Sequence, residues 1–96
     1  MNKSLSIILP AKNESASLKI LLPELTSLYA DAEIIIVNDG SDDDTLSICN
    51  KYAVKVINHP YSKGNGASIK SGARFATGEI LVFMDADGQH RPDDIK

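Results

Sequence analysis

Ninety-six residues, 43% hydrophobic and 24% charged, allow one soluble globular domain around one small core. A net charge of −3 leaves no basic face for releasing counterions, which argues against nucleic acid as a partner. The single cysteine, Cys49, excludes a disulfide framework or a cysteine-rich zinc site, and no apolar run reaches the length of a membrane span.

In chain order, the apolar stretch before Pro10 is too short for a signal-peptide core, so a reducing, cytoplasmic setting is expected. Leu5-Ser6-Ile7-Ile8-Leu9 reads as a first buried strand, stopped by Pro10. The polar turn Pro10 to Ser15 offers Asn13 or Ser15 as cap for a helix. Its buried stripe is Leu18, Leu21, Leu22, Leu25, Leu28 and Tyr29, and Pro23 inside that pattern predicts a kink or two short helices. Glu33 to Asn38 is a second, nearly all-apolar strand, followed by Asp39-Gly40-Ser41-Asp42-Asp43-Asp44-Thr45. The helix dipole favours acidic residues in a first turn, so Asp42 and Asp43 read mainly as capping, with Ser41 or an Asp as the cap itself. Asp39 stands apart because it precedes the glycine at the strand tip. The helix after this turn is expected to bury Leu46, Cys49 and Ala53, with Cys49 a small core residue and not a nucleophile.

Val54 to Asn58 is more polar and has the profile of an edge strand. His59 to Gly66 reads as a loop, and a helix of small residues from about Ala67 to Ala76 can approach a sheet closely. Ile80 to Met84 is five apolar residues in a row, the profile of a strand buried on both faces. It leads into Asp85-Ala86-Asp87-Gly88-Gln89-His90. The alternation β-α-β-α-β-α-β predicts an α/β fold with a mainly parallel open sheet and flanking helices.

Three polar clusters, Pro10 to Glu14, Asp39 to Asp44 and Asp85 to Gln89, follow strand carboxyl ends, where open parallel sheets bind ligands. If the first, second and fourth strands are neighbours, Asn13, Glu14, Asp39, Asp85 and Asp87 meet in one pocket. Clustered carboxylates repel one another unless a cation joins them, and oxygen ligands spaced like Asp85, Asp87 and Gln89 suit one hard divalent ion with positions left for phosphate. Each cluster also has an ordinary reading, since Asp and Gly are common turn residues after any strand. The Gly64-Asn65-Gly66 turn and helix start could assist an anion, with Lys63, Lys70 and Arg74 nearby; for Lys70 and Arg74 a solvated helix face is the plainer explanation. The first turn lacks GxGxxG, Ile69 replaces the third glycine after Gly64-Asn65-Gly66, and no GxxxxGK[ST] occurs. His59 and His90 are expected to be solvated turn residues, and no covalent nucleophile is inferred.

Four segments together resemble the amino-terminal half of family-2 glycosyltransferases: Ile8-Leu9-Pro10-Ala11-Lys12-Asn13-Glu14, Val37 to Ser41 with Asp44-Thr45, Lys63 to Ala67, and Asp85 to Pro92. Each is weak alone, but their order and spacing are specific, and Asp-Ala-Asp-Gly-Gln-His-x-Pro looks most like the polyprenyl- or dolichyl-phosphate sugar synthase branch. The resemblance implies the Rossmann-like nucleotide-sugar-binding half of a GT-A fold over residues 1–96, with the carboxyl-terminal acceptor part absent. It further implies that Pro10, Ala11, Asn13, Glu14, Asp39, Gly40, Gly64 and Asp85 bind the nucleotide. Within that set Pro10, Ala11 and Glu14 would line the base and ribose, Asp39 would meet the nucleobase and Gly64 would lie beside the nucleotide. Asp85, Asp87 and Gln89 would hold Mg²⁺ or Mn²⁺ against the diphosphate. Asn38 departs from the second Asp that many relatives carry before Asp-Gly-Ser.

The implied reaction is transfer of a sugar from a UDP- or GDP-sugar to an acceptor such as a polyprenyl phosphate or glycan, with inversion. A bound cation would stabilise the departing phosphate. The catalytic base, if the acceptor needs one, is not identified in this chain. The chain alone is expected to bind nucleotide weakly and to transfer sugar poorly or not at all. The parent protein is expected at the cytoplasmic face of a membrane, and an open edge on the last strand favours self-association. Two alternatives are a non-catalytic nucleotide-binding or assembly module and a haloacid-dehalogenase-like phosphatase. The second shares a strand ending in Asp-x-Asp-Gly but normally opens with it.

Overall fold

A computed structural model describes residues 4–84. The elements are β1 (Leu5–Ala11), α1 (Ser15–Leu28), β2 (Glu33–Asp39), α2 (Thr45–Cys49), β3 (Lys55–His59), α3 (Asn65–Phe75) and β4 (Ile80–Phe83). All pairings are parallel, and the strand order is β3-β2-β1-β4. The expected α/β class, the edge position of β3 and the neighbourhood of β1, β2 and β4 all hold. Successive strands step outward from β1 through β2 to β3, and the chain then crosses back to place β4 on the other side of β1. This reversal is a topological switch point, with its crevice at the carboxyl ends of β1 and β4.

Alternation along the strands divides the core between two faces. Ile7, Leu9, Ile34 and Ile36 join Leu18, Leu21, Leu22, Leu25, Ile48 and Cys49 on the α1 and α2 side. Ile8, Ile35 and Val37 face the other way, where α3 packs on β1 and β2. Each fully buried leucine contributes about 1.5–3 kcal/mol, so the four-leucine stripe anchors α1 along its length. Burial also pushes the Cys49 thiol up to about 11, in keeping with a core residue.

Several local expectations give way. Pro10 does not stop β1 but lies inside it, opposite Val37. The carbonyls of Ser4 and Ile8 accept bonds from Ile80 and Met84 N–H, so even-numbered residues of β1 face β4. Pro10 therefore faces the same way, one step past the last β4 pairing at Ile8–Phe83, where a missing N–H breaks no ladder bond. α1 is one helix with Pro23 inside and exposed, not two short ones. Its stripe ends at Leu25, for Leu28 is 56% exposed and Tyr29 only half-buried. α2 is a single short turn of helix that buries Thr45, Ile48 and Cys49, while Leu46 and Ala53 face outward. α3 starts two residues earlier than the apolar pattern suggests, at Asn65. β4 is not covered on both faces, since Ile80, Leu81 and Phe83 are all exposed. Among the described residues the strand pairs with β1 alone, and α3 lies over β1 and β2 instead.

Candidate functional site

The carboxyl edge of the sheet carries Ala11, Asp39 and His59 at the ends of β1, β2 and β3, with Met84 directly after β4. Met84 is buried and donates its N–H to Ile8. Asp85, Asp87 and Gln89 lie outside the described residues, as does His90. Among the described residues no group of three or more His, Cys, Asp or Glu could hold a metal ion.

The loops after β1 and β2 are clasped together. Asn13, in the left-handed region at φ 54°, donates its N–H to Ser41 Oγ at 3.0 Å, and its Oδ1 accepts the Asp42 N–H at 2.7 Å. The Glu14 N–H goes to Thr45 Oγ1 at 3.1 Å, and the Ser15 N–H to Asp43 Oδ2 at 3.3 Å. Asp43 Oδ1 also accepts from both the N–H and the hydroxyl of Thr45. The Thr45 hydroxyl leads the bonds that hold the Asp43 carboxyl below its ordinary range. Capping thus comes from across the gap: neither Asn13 nor Ser15 caps α1 with its own side chain, and one carboxylate from the second loop serves the starts of α1 and α2. The clasp holds Asn13 and Glu14 of the first turn against the second, on one side of the carboxyl edge.

Asp39 anchors the other side. It is 5% exposed, and both carboxylate oxygens are engaged. Oδ1 lies 2.7 Å from His59 Nδ1 and accepts the Lys63 N–H at 2.8 Å. Oδ2 accepts from Ser62 Oγ at 2.9 Å and from the Gly64 N–H at 3.0 Å. Burial alone would raise this carboxyl, but the four bonds outweigh it and hold it far below the usual carboxylate range. Gly64 takes φ 97°, and its carbonyl accepts the Ser68 N–H that opens α3. Gly40, at φ 68°, passes so close that a Cβ there would lie 2.6 Å from Ser62 N.

His59 is the residue that sequence reasoning missed. It is not a solvated loop histidine but the buried last residue of β3, with Ser71 Oγ 2.9 Å from Nε2. Its partners stand 20 and 12 residues away along the chain, so no local motif marks it. The Asp39–His59–Ser71 array has the order of a nucleophilic relay, but Ser71 sits mid-helix, where the neighbouring backbone N–H groups serve the helix and offer no oxyanion site. Asn38 is buried and donates through Nδ2 to Asn58 Oδ1 at 3.1 Å, while its Oδ1 has no partner among the described residues. Lys70 and Arg74 are exposed on α3, and the Lys63 Nζ lies over the Tyr61 ring. No helix among the described residues is long and apolar enough to cross a membrane.

Known proteins share this fold. The fold matches a mannosyltransferase of Pyrobaculum calidifontis solved with GDP-Man and Mn²⁺, with a TM-score of 0.79 and 24% identity over 91% of this chain and 28% of that one. It also matches glucosyl-3-phosphoglycerate synthase of Mycobacterium tuberculosis solved with Mn²⁺, UDP and glucosyl-3-phosphoglycerate, with a TM-score of 0.77 and 26% identity over 88% and 34% of the two chains. In sequence, a dolichyl-phosphate beta-glucosyltransferase of Trichomonas vaginalis is 33% identical over 95% of this chain and 31% of its own length. A dolichol-phosphate mannosyltransferase of Pyrococcus furiosus is 35% identical over 92% and 27%. The chain therefore spans about a third of the length of such relatives. The pattern that defines glycosyl transferase family 2 matches residues 6–96. With the parallel sheet and its clasped carboxyl edge, that match establishes that this chain belongs to glycosyl transferase family 2.

Proposed function

We propose that residues 1–96 form the nucleotide-sugar-binding, amino-terminal part of a metal-dependent glycosyltransferase. The parent would move a sugar from a UDP- or GDP-sugar to an acceptor, with inversion. The observation that carries this reading is the β3-β2-β1-β4 order, which opens a switch-point crevice beside β1, where an open parallel sheet binds its ligand. Pro10, Ala11, Asn13, Glu14 and Gly40 would face the base and ribose from the clasped side. Gly64 and the start of α3 would face the nucleotide from the other. The names of the dolichyl-phosphate relatives favour a polyprenyl phosphate acceptor, presented at the cytoplasmic face of a membrane. An acceptor of that kind is already anionic and needs no general base.

The oxygen donors Asp85, Asp87 and Gln89 suit Mg²⁺ or Mn²⁺, and a synthase of this fold has been solved with Mn²⁺ and UDP. Such an ion supplies charge stabilisation to the departing diphosphate. This chain's own contribution is to bind and orient the nucleotide between two pre-formed loops. Family membership favours this reading over a dehalogenase-like phosphatase.

Calorimetric titration with UDP and GDP, with and without Mn²⁺, tests the proposal. Weak binding of one nucleotide that strengthens with the metal supports it, and no sugar transfer is expected from the chain alone. A folded chain that binds neither nucleotide is in practice a non-catalytic module. The free edge of β4, with Ile80, Leu81 and Phe83 exposed, also favours self-association by strand pairing. Light scattering that returns a monomer at every concentration would contradict that.

A further inference from the structure

We infer that His59 is a positioning residue for the nucleotide site, setting the Ser62–Gly64 loop and the direction of α3 through Asp39 and Ser71. The inference rests on the donor-site reading for its functional consequence, but its geometry stands independently.

An ionised carboxylate can only accept hydrogen bonds, so the His59 proton must sit on Nδ1 and point at Asp39 Oδ1. Nε2 lies 2.9 Å from the Ser71 hydroxyl, which can serve as either donor or acceptor in that bond. One imidazole thereby joins the ends of β2 and β3 to the third helix. With one oxygen fixed by His59, the Asp39 carboxylate has a single orientation in which to hold the N–H groups of Lys63 and Gly64 and the hydroxyl of Ser62. All four of its accepting directions are used and it is 5% exposed, so Asp39 holds the loop in place before any ligand arrives.

The array also grips α3 twice. Asp39 holds Gly64, whose carbonyl receives the N–H and hydroxyl of Ser68, and His59 holds Ser71 two turns further on. Seven residues of helix rise about 10 Å, so the two grips fix an axis and not merely a point. The direction in which the helix start faces the crevice follows from that axis.

The test compares His59→Ala with His59→Asn in the otherwise intact chain. The asparagine amide nitrogen can occupy the place of Nδ1 and keep the bond to Asp39. Without nucleotide, the Lys63 and Gly64 amides should exchange with solvent about tenfold faster in His59→Ala, as expected for losing one net hydrogen bond. Amides at Thr77 and Gly78, at the far end of the sheet, should not change. UDP or GDP binding with Mn²⁺ should weaken in parallel, and His59→Asn should restore both. Ser71→Ala removes only the second grip and should give a smaller change of the same sign, so the inference stays open to test if His59→Ala fails to fold. It is overturned if Lys63 and Gly64 exchange at the parent rate, if every amide accelerates equally, or if asparagine rescues no better than alanine. Local exchange that responds as stated, in a chain that binds neither nucleotide, would uphold the clamp and refute the donor site.

Discussion

β2 begins and ends with a carboxylate, and the two do different work. Glu33, at the amino end, accepts from Ser6 Oγ at 2.7 Å, from the Thr77 N–H at 2.8 Å and from the Lys55 ammonium, tying β1, β3 and the approach to β4 together. Lys55 first, then Ser6 and Thr77, draw its carboxyl down to about 2. Asp39, at the carboxyl end, has no lysine or arginine side chain among its partners in the described residues. It uses a buried histidine, a serine and two loop N–H groups. Glu33 staples strands that the sheet already pairs, whereas Asp39 shapes a loop that no ladder supports. Only the second arrangement orders a loop, and it lies at the end of the sheet where parallel folds bind ligands.

The sharpest way to break the contrast is Asp39→Ala. Removing one partner of a buried, fully bonded group costs about 3–5 kcal/mol, a large share of a small domain's stability. Chemical denaturation should show that loss, with the Ser62–Gly64 amides exposed even where the rest stays folded. Gly40→Ala attacks the same end from outside. Its Cβ would meet Ser62 N at 2.6 Å in a left-handed conformation, so about 1–3 kcal/mol should be lost with the loop displaced.

Glu33→Ala should cost about 1–3 kcal/mol without faster exchange at Lys63 or Gly64. A depressed carboxyl binds its proton less tightly in the folded chain than in the unfolded one, so acid favours unfolding. The stability Glu33 supplies is present above its ordinary value of 4.5 and lost as pH falls toward about 2. Denaturation midpoints followed through that window should slope less steeply in Glu33→Gln. Smallest of all, Lys55→Ala should change stability by less than about 1 kcal/mol, because the lysine side chain is 53% exposed and its ion pair is screened. A larger loss would mean that the amino-end staple depends on its salt bridge more than on Ser6 and Thr77.

Strand content and order were legible because nearly unbroken apolar runs such as Glu33 to Asn38 suit only a sheet covered on both faces. The clustering of the first two polar turns followed from that order. What escaped were features decided by neighbours distant in sequence. Pro10 is tolerated because of where β4 stops, and Leu46 turns outward because α2 is a single turn. β4 looks like a central strand in composition yet has one neighbour among the described residues, and exposed side chains. His59 has the local surroundings of any loop histidine and acquires its role only when Asp39 and Ser71 arrive from other elements.

On the proposed reading, the carboxyl end of the sheet binds a nucleotide and the amino end does not. Amide NMR shifts of the folded chain on adding UDP or GDP with Mn²⁺ test it most directly. Metal-dependent shifts are expected at Ala11, Gly40 and Gly64, with Glu33, Thr77 and Gly78 unmoved. Shifts centred on Glu33 and Thr77, or none with either nucleotide, would contradict it.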